Sequence, residues 1–274
     1  MIGTEASAGV GSFLAVDGIQ TFFVEQGDGE AVVMIHGAAL GASAQVSWQP
    51  NLAPLAKAGF WAIAYDQPGF GHSSVPEDHS VEYRVQHARA FIDALGLTHY
   101  HLIGSSMGAY VAARLALEDP RVDRLVLVAG SALVPSSSAS TTAAPQAPDA
   151  PQAAPTLESI RALTNATLQK PELVTEALVQ ARFAMSSSAH HAAFLARRAA
   201  PAPRPVTVEL STLSQRTLIL WGKNDAGAPL EQATTLFQTI PGAELHIFDN
   251  CGHWVQWDQA ARANRLISDF LRAE

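Results

Sequence analysis

The chain has 274 residues, is 48% hydrophobic and carries a formal net charge of −8, which suits one large α/β domain or two small ones around a sizeable core. With an acidic balance and no basic stripe, nucleic acid is excluded as a partner and an anionic membrane surface is not expected. The single cysteine, Cys251, excludes an internal disulfide and fits a reducing cytoplasm. Residues 1–11 lack the basic start and apolar stretch of a signal peptide, and no run is long enough to span a membrane.

Residues 12–26 hold two alternating apolar runs around Asp17-Gly18, the pattern of a β-hairpin. Residues 31–35 are continuously apolar and predict a buried strand that ends in His36-Gly37-Ala38-Ala39-Leu40-Gly41. A helix is expected over 48–58, a buried strand over 60–65 ending at Asp66, and a turn-rich loop over 67–73. Residues 81–95 form an amphipathic helix closed by Gly96. Then the apolar run 100–103 enters Gly104-Ser105-Ser106-Met107-Gly108, and a helix-like run follows over 109–118.

A G-x-S-x-G sequence between a strand and a helix is a nucleophile elbow. The turn strains the Ser106 backbone and so demands small neighbours, a demand that Gly104 and Gly108 meet. The strand's carboxyl end then presents the Ser106 hydroxyl where a base can reach it, and the helix aims its first N–H groups at the same place. In that context the small-residue loop after His36 is a second oxyanion donor; otherwise it is a strand-to-helix connection that needs small residues.

A further strand is expected over 125–129. Residues 135–155 are rich in Ser, Ala, Thr, Pro and Gln and predict a flexible segment. Residues 157 to about 200 have helical periodicity, and 201–205 is a second breaker. This block separates two strands of one sheet, so it is expected to cover the sheet's carboxyl edge as a helical lid, where sites in open α/β sheets lie. The sheet resumes over 217–221, followed by Gly222-Lys223-Asn224-Asp225; a helix over 229–240, a strand over 244–248 and a closing helix over 259–272 complete the chain. The organisation expected is a core of 1–133 and 213–274 with a lid of 134–212 inserted, of which 134–156 is the flexible part. The fold class is α/β, a mostly parallel sheet with helices on both faces.

A serine needs an adjacent base, and the base needs a third group to fix its tautomer. Ser106, Asp225 and His253 follow the order nucleophile, acid, histidine that belongs to this elbow, each just past a predicted strand. Of the ten histidines, His36 belongs to the oxyanion loop, His190 and His191 to an exposed lid face, and His246 to a strand. His72, His79, His87, His99 and His101 precede or abut the elbow. Asp249 and Asp258 lie too near His253 in sequence, and Asp66 reads as structural. No histidines pair with carboxylates at ligand spacing and no G-x-G-x-x-G follows a strand, so no metal and no cofactor is expected.

These residues resemble the α/β-hydrolase family and, within it, the meta-cleavage-product hydrolases that break C–C bonds in aromatic catabolism. The likeness is carried by Cys251-Gly252-His253-Trp254-Val255-Gln256-Trp257-Asp258 after the strand 244–248, by Leu178-Val179-Gln180-Ala181-Arg182, and by Trp221-Gly222-Lys223-Asn224-Asp225 with Pro229. The resemblance implies a substrate made by ring cleavage of a catechol, a vinylogous diketone acid. The dienolate would first be ketonised, then cleaved to a 2-hydroxydienoate and a carboxylic acid. It also implies an oxyanion hole from the N–H groups of Ala38 and Met107, substrate contacts from Ser105 and Gly37, a carboxylate contact from Arg182 and a pocket wall from Trp254. On the residues alone, Arg182 is equally a solvated lid charge and Trp254 a core side chain. The chain departs from the family at Ala38-Ala39-Leu40, at Ser105 where Asn is usual, at Gly227 where Phe is common, and across 135–155; these suit a differently shaped pocket. A carboxylesterase of the same fold is the second expectation and a non-enzymatic ligand binder the third. Haloalkane dehalogenase and epoxide hydrolase fail, because they need a carboxylate where Ser106 stands. The partner expected is a small-molecule substrate, with the chain a cytoplasmic homo-oligomer of two or more copies.

Overall fold

The computed structural model describes residues 11–135 and 154–273, so most of the segment expected to be flexible lies outside the described residues. The hairpin is β1 (Gly11–Val16) and β2 (Ile19–Gln26), with Asp17 and Gly18 both at positive φ in its two-residue turn. The other strands are β3 (Glu30–Ile35), β4 (Phe60–Tyr65), β5 (Tyr100–Ser105), β6 (Val122–Val128), β7 (Arg216–Gly222) and β8 (Glu244–Phe248). They form one eight-stranded sheet of order β1-β2-β4-β3-β5-β6-β7-β8. β2 is antiparallel to both its neighbours, and the pairings from β4 to β8 are parallel.

The continuous apolar runs follow from helices on both faces. Val33 and Ile35 point into a core shared with α2 (Val81–Ala94), α3 (Met107–Glu118) and α8 (Leu230–Thr239). Val32 and Met34 point the other way, into a core shared with α1 (Ala44–Lys57) and, at the chain's end, Ala260–Arg272. α1 starts four residues before the predicted 48, where the Ser43 side chain accepts the Val46 N–H. It also runs through Pro50 and Pro54. Each proline frees the carbonyl four residues earlier. The Val46 carbonyl accepts the Trp257 indole N–H at 3.0 Å and the Pro50 carbonyl accepts Asn264 Nδ2 at 2.8 Å. Both orphaned acceptors are thus satisfied from the far end of the chain.

The block between β6 and β7 is helical as expected, but it is divided: α4 (Leu157–Thr167), a 3-10 turn (Pro171–Leu173), α5 (Glu176–Ala184), α6 (Ser188–Ala199) and the short α7 (Thr207–Leu210). Thr156, Thr175 and Ser187 each cap a helix start with the side chain, and these caps set the divisions that periodicity alone missed. α9 (Val255–Asp258) and α10 (Ala260–Arg272) close the chain. Among the described residues no helix is long and apolar enough to cross a membrane.

Glu30, His101 and Asp123, far apart in the sequence, bring three possible ligand atoms within 4.8 Å of one another at the amino edge of the sheet. The cause is a register shift between β5 and β6: Leu102 opposes Leu125 while Tyr100 opposes Val122, so both Asp123 and Arg124 fall opposite His101.

The loop after β4 turns on Asp66. Its buried carboxylate accepts the Ala44 N–H at 2.6 Å and the His72 N–H at 2.7 Å. Gly71, at φ 55°, has no room for a Cβ, which would lie 1.9 Å from Asp66 Oδ2. Burial pushes the Asp66 pKa up to about 7 against the two N–H bonds. Asp66→Ala strands both donors, and the expected loss is about 3 kcal/mol in a urea unfolding curve.

Candidate active site

Ser106 follows β5 and begins α3 at φ 55°, ψ −123°, a strained backbone for a residue with a Cβ. Its flanking glycines are sterically required. A Cβ on Gly104 would lie 2.4 Å from the Gly108 carbonyl, and one on Gly108 would lie 2.3 and 2.5 Å from the carbonyls of Ile35 and His36. The end of β3 therefore sits directly against the first turn of α3. Gly37 borders Ser106: its Cβ position lies 3.1 Å from Ser106 Cβ and 3.6 Å from the hydroxyl oxygen. The N–H groups of Ala38 and Met107 have no acceptor among the described residues, which leaves two donors beside Ser106 for a developing negative charge.

His36 holds this loop in place. Burial, opposed by its bond to Gly37 and assisted by nearby Arg84 and Arg197, pushes its pKa down to about 4. The ring is neutral: Nδ1 donates to the Gly37 carbonyl at 2.7 Å and Nε2 accepts the Gln67 N–H at 3.1 Å. The Gln67 side chain returns a bond to the His36 carbonyl at 2.6 Å.

His253 and Asp225 come together as the sequence order predicts. His253 Nδ1 donates to Asp225 Oδ2 at 2.8 Å, and Asp225 Oδ1 accepts the N–H groups of Gly227 and Ala228 at 2.8 and 2.9 Å. Burial alone lowers the His253 pKa, but Asp225's charge and hydrogen bond outweigh it and leave it above the ordinary value. The bond fixes Nδ1 as the protonated nitrogen and leaves Nε2 free to accept. The Ser106 hydroxyl lies 3.5 Å from Ser131 Oγ and makes no hydrogen bond to His253. Rotation about one bond releases it, and such contacts commonly tighten only with substrate in place. Ser131 had no signal in the sequence.

Arg182 is not a solvated charge. It is fully buried, with Nη1 donating to Thr164 Oγ1 at 3.0 Å, Nη2 to the Leu40 carbonyl at 3.2 Å, and Nε without a partner. Its guanidinium lies 4.9 Å from the Trp254 ring centre, and Trp254 in turn stacks on Trp257. Trp254 is thus both core side chain and wall for Arg182. Among the described residues no carboxylate pairs with Arg182, and burial pushes its pKa down to about 10.

The motif after β8 does more than present His253. Gln256 donates to Ser105 Oγ at 3.4 Å, across the sheet edge to the residue before Ser106. Asp258 accepts the Gly252 N–H at 2.7 Å and the Gln169 N–H at 2.9 Å, clasping the His253 turn to the inserted block. Asp258, too near His253 in sequence to serve as its acid partner, has this clasp as its role, which no local pattern announces.

A strained serine with two free N–H groups and an imidazole oriented by a carboxylate is the equipment of acyl-transfer chemistry. The fold and this arrangement define a class, and the chain belongs to the α/β-hydrolase family, whose "alpha/beta hydrolase fold" model matches residues 30–260. It is an enzyme of that family and resembles its meta-cleavage-product hydrolases. It is 34% identical to the 2-hydroxy-6-oxononadienedioate/2-hydroxy-6-oxononatrienedioate hydrolase 2 of Pseudomonas putida, over 93% of this chain and 92% of the relative. It is 33% identical to the 2-hydroxy-6-oxo-6-phenylhexa-2,4-dienoate hydrolase of Comamonas testosteroni, over 90% of each. Among solved structures, the meta-cleavage product hydrolase of Pseudomonas fluorescens IP01 superposes with a TM-score of 0.86 at 30% identity, covering 96% of this chain and 97% of that one.

The hydrogen bond between His253 and Asp225 has a direct readout. In an NMR titration the His253 ring should titrate above the ordinary histidine value of about 6.5 in the native protein. In Asp225→Asn, where burial acts unopposed, it should titrate below that value.

Proposed function

We propose that the protein hydrolyses a C–C bond in a 2-hydroxy-6-oxo-hexa-2,4-dienoate-type product of aromatic ring cleavage. The observation that carries this reading is Arg182: a fully buried guanidinium with, among the described residues, no partner for Nε and no carboxylate of its own, held to the oxyanion loop through the Leu40 carbonyl. A buried cation without a counter-ion fits a substrate that brings one. A simple ester has no such group, although an esterase would use the same serine, histidine and acid. The relatives' substrates support the dienoate reading.

In this proposal the dienolate is first ketonised by proton transfer to carbon, which makes the bond to the distant ketone cleavable. Ser106 Oγ attacks that ketone carbon and its proton passes to His253 Nε2, while Asp225 stabilises the imidazolium. The N–H groups of Ala38 and Met107 hold the oxyanion. Collapse breaks the C–C bond; its electron pair delocalises into the 2-oxo acid, whose carboxylate Arg182 holds. His253, charged by the serine, returns a proton to the leaving group. Water then hydrolyses the acyl-serine with His253 as base, so substrate plus water gives a 2-hydroxydienoate and a carboxylic acid. Ser105 and Gly37 shape the site beside Ser106, and Trp254 supports Arg182. The block spanning 134–212 acts as the lid. Cytoplasmic residence and assembly into a dimer or larger oligomer belong to the same proposal, the latter measurable by light scattering.

The test is loss of visible absorbance from the yellow ring-fission products of several catechols. Wild type should bleach them and Ser106→Ala should not. Arg182→Gln should lower kcat/KM on the dienoate about 100-fold or more, the scale of a lost charge-assisted contact, and leave p-nitrophenyl acetate hydrolysis within about threefold. Cleavage of the ester alone by wild type would sink the reading. The acid limb of kcat/KM should fall as pH drops through the raised His253 pKa, because the imidazolium cannot take the Ser106 proton.

A further inference from the structure

A second group of buried cationic donors lies away from Arg182, where lid helix α6 meets the connection between β4 and α2. Arg197 of α6 donates from Nη1 to the Gly69 carbonyl at 3.3 Å, and its guanidinium lies 3.8 Å from the Phe70 ring centre. Arg84 of α2 is only 6% exposed. Nε and Nη1 of Arg84, Nε of Arg197 and Nδ1 of His79 are all buried with no partner. The arginines are within electrostatic range of each other, and Arg197 is within range of His79.

Among the described residues no carboxylate lies within ion-pair distance of either arginine. The Asp66 carboxylate is occupied by the Ala44 and His72 N–H groups, Asp78 accepts the Ser80 N–H, and Glu82, exposed in the first turn of α2, favours the charged Arg84 without forming an ion pair with it. Burial holds Arg84 down to about 10; burial, then repulsion from Arg84, holds Arg197 down to about 9. Both stay charged at neutral pH. Two like charges with unmet buried donors are unfavourable unless an anion joins them.

We propose that this seam is a built oxyanion site, in which Arg84 and Arg197 take a carboxylate or phosphate group between the lid and the core. Two planar forks with several free N–H groups suit a multi-oxygen anion better than a halide. A bound anion would tie α6 to α2 and, through Phe70, whose ring packs edge-on 5.0 Å from His36, to the oxyanion loop. The oxyanion has two possible sources: a free dianion, or the second carboxylate of a dioic substrate. The latter alone rests on the dienoate reading.

Calorimetry of wild type, Arg84→Met and Arg197→Met in sodium chloride, phosphate and succinate at equal ionic strength tests the site without any assay of activity. Phosphate or succinate should raise the wild-type Tm by about 3 °C or more over chloride, and neither methionine variant should respond. Arg84→Lys, which keeps the charge but not the fork, should respond weakly and guards against a variant that misfolds. Equal wild-type Tm in the three salts, or the same response in every variant, overturns the proposal. Kinetics then separate the sources. A KM for a dienedioate raised about tenfold or more in Arg84→Met, with a phenyl dienoate unchanged, assigns the substrate's second carboxylate. Unchanged KM on both in Arg84→Met, with the Tm response present in wild type and absent in that variant, assigns a free anion.

Discussion

The structure depends on one close approach. Gly108 lies so near the carbonyls of Ile35 and His36 that no side chain fits between them. That contact locks the end of β3 to the start of α3, so the loop after His36 and Ser106 share one rigid corner. The cost is the backbone strain at Ser106, which a well-packed surround must sustain. α3 supplies it, with residues 108–113 all buried against the sheet and its neighbours. The neutral His36, bonded on both ring nitrogens, extends the same rigidity into the loop after β4.

Electrostatics divides the carboxyl edge of the sheet into two kinds of environment. At His253 the buried charge is matched: Asp225 faces the imidazole, and two N–H groups fix Asp225. At Arg182, among the described residues, the buried charge is unmatched, and the aromatic face of Trp254 and two neutral oxygens support it. Charges left uncompensated in a folded protein are unfavourable for the fold alone, and their persistence is an argument for binding rather than for stability.

Much of this was legible in the sequence because the chemistry fixes the residues. The elbow, the order Ser106, Asp225, His253 and the apolar strands all carry patterns that geometry enforces. The hairpin turn was visible in Asp17-Gly18 for the same reason. What escaped was set by partners distant in the chain. Nothing at Pro50 and Pro54 shows that Trp257 and Asn264 will satisfy the carbonyls they free. Arg182 looks the same in sequence whether solvated or buried, and only the packing of Trp254 and Thr164 decides. The grouping of Glu30, His101 and Asp123 needed a register shift between two strands that no local pattern announces. The divisions of the inserted block were within reach, since Thr156, Thr175 and Ser187 are ordinary caps; periodicity outweighed them.

The bond between Asp258 and Gln169 spans 89 residues. The ribosome releases α4 and α5 before the residue that clasps them. At roughly 5–20 residues per second the interval is about 4–18 s. Over that time α4 and α5 have neither Asp258 nor the Trp254 ring that covers Arg182, while α1 waits for Trp257 and Asn264 to cap its orphaned carbonyls. The edge of the site cannot close until α9 and α10 are made. A nascent chain stalled before residue 250 would therefore lack the clasp and leave Leu168 and Leu178 without the Trp254 ring they pack against.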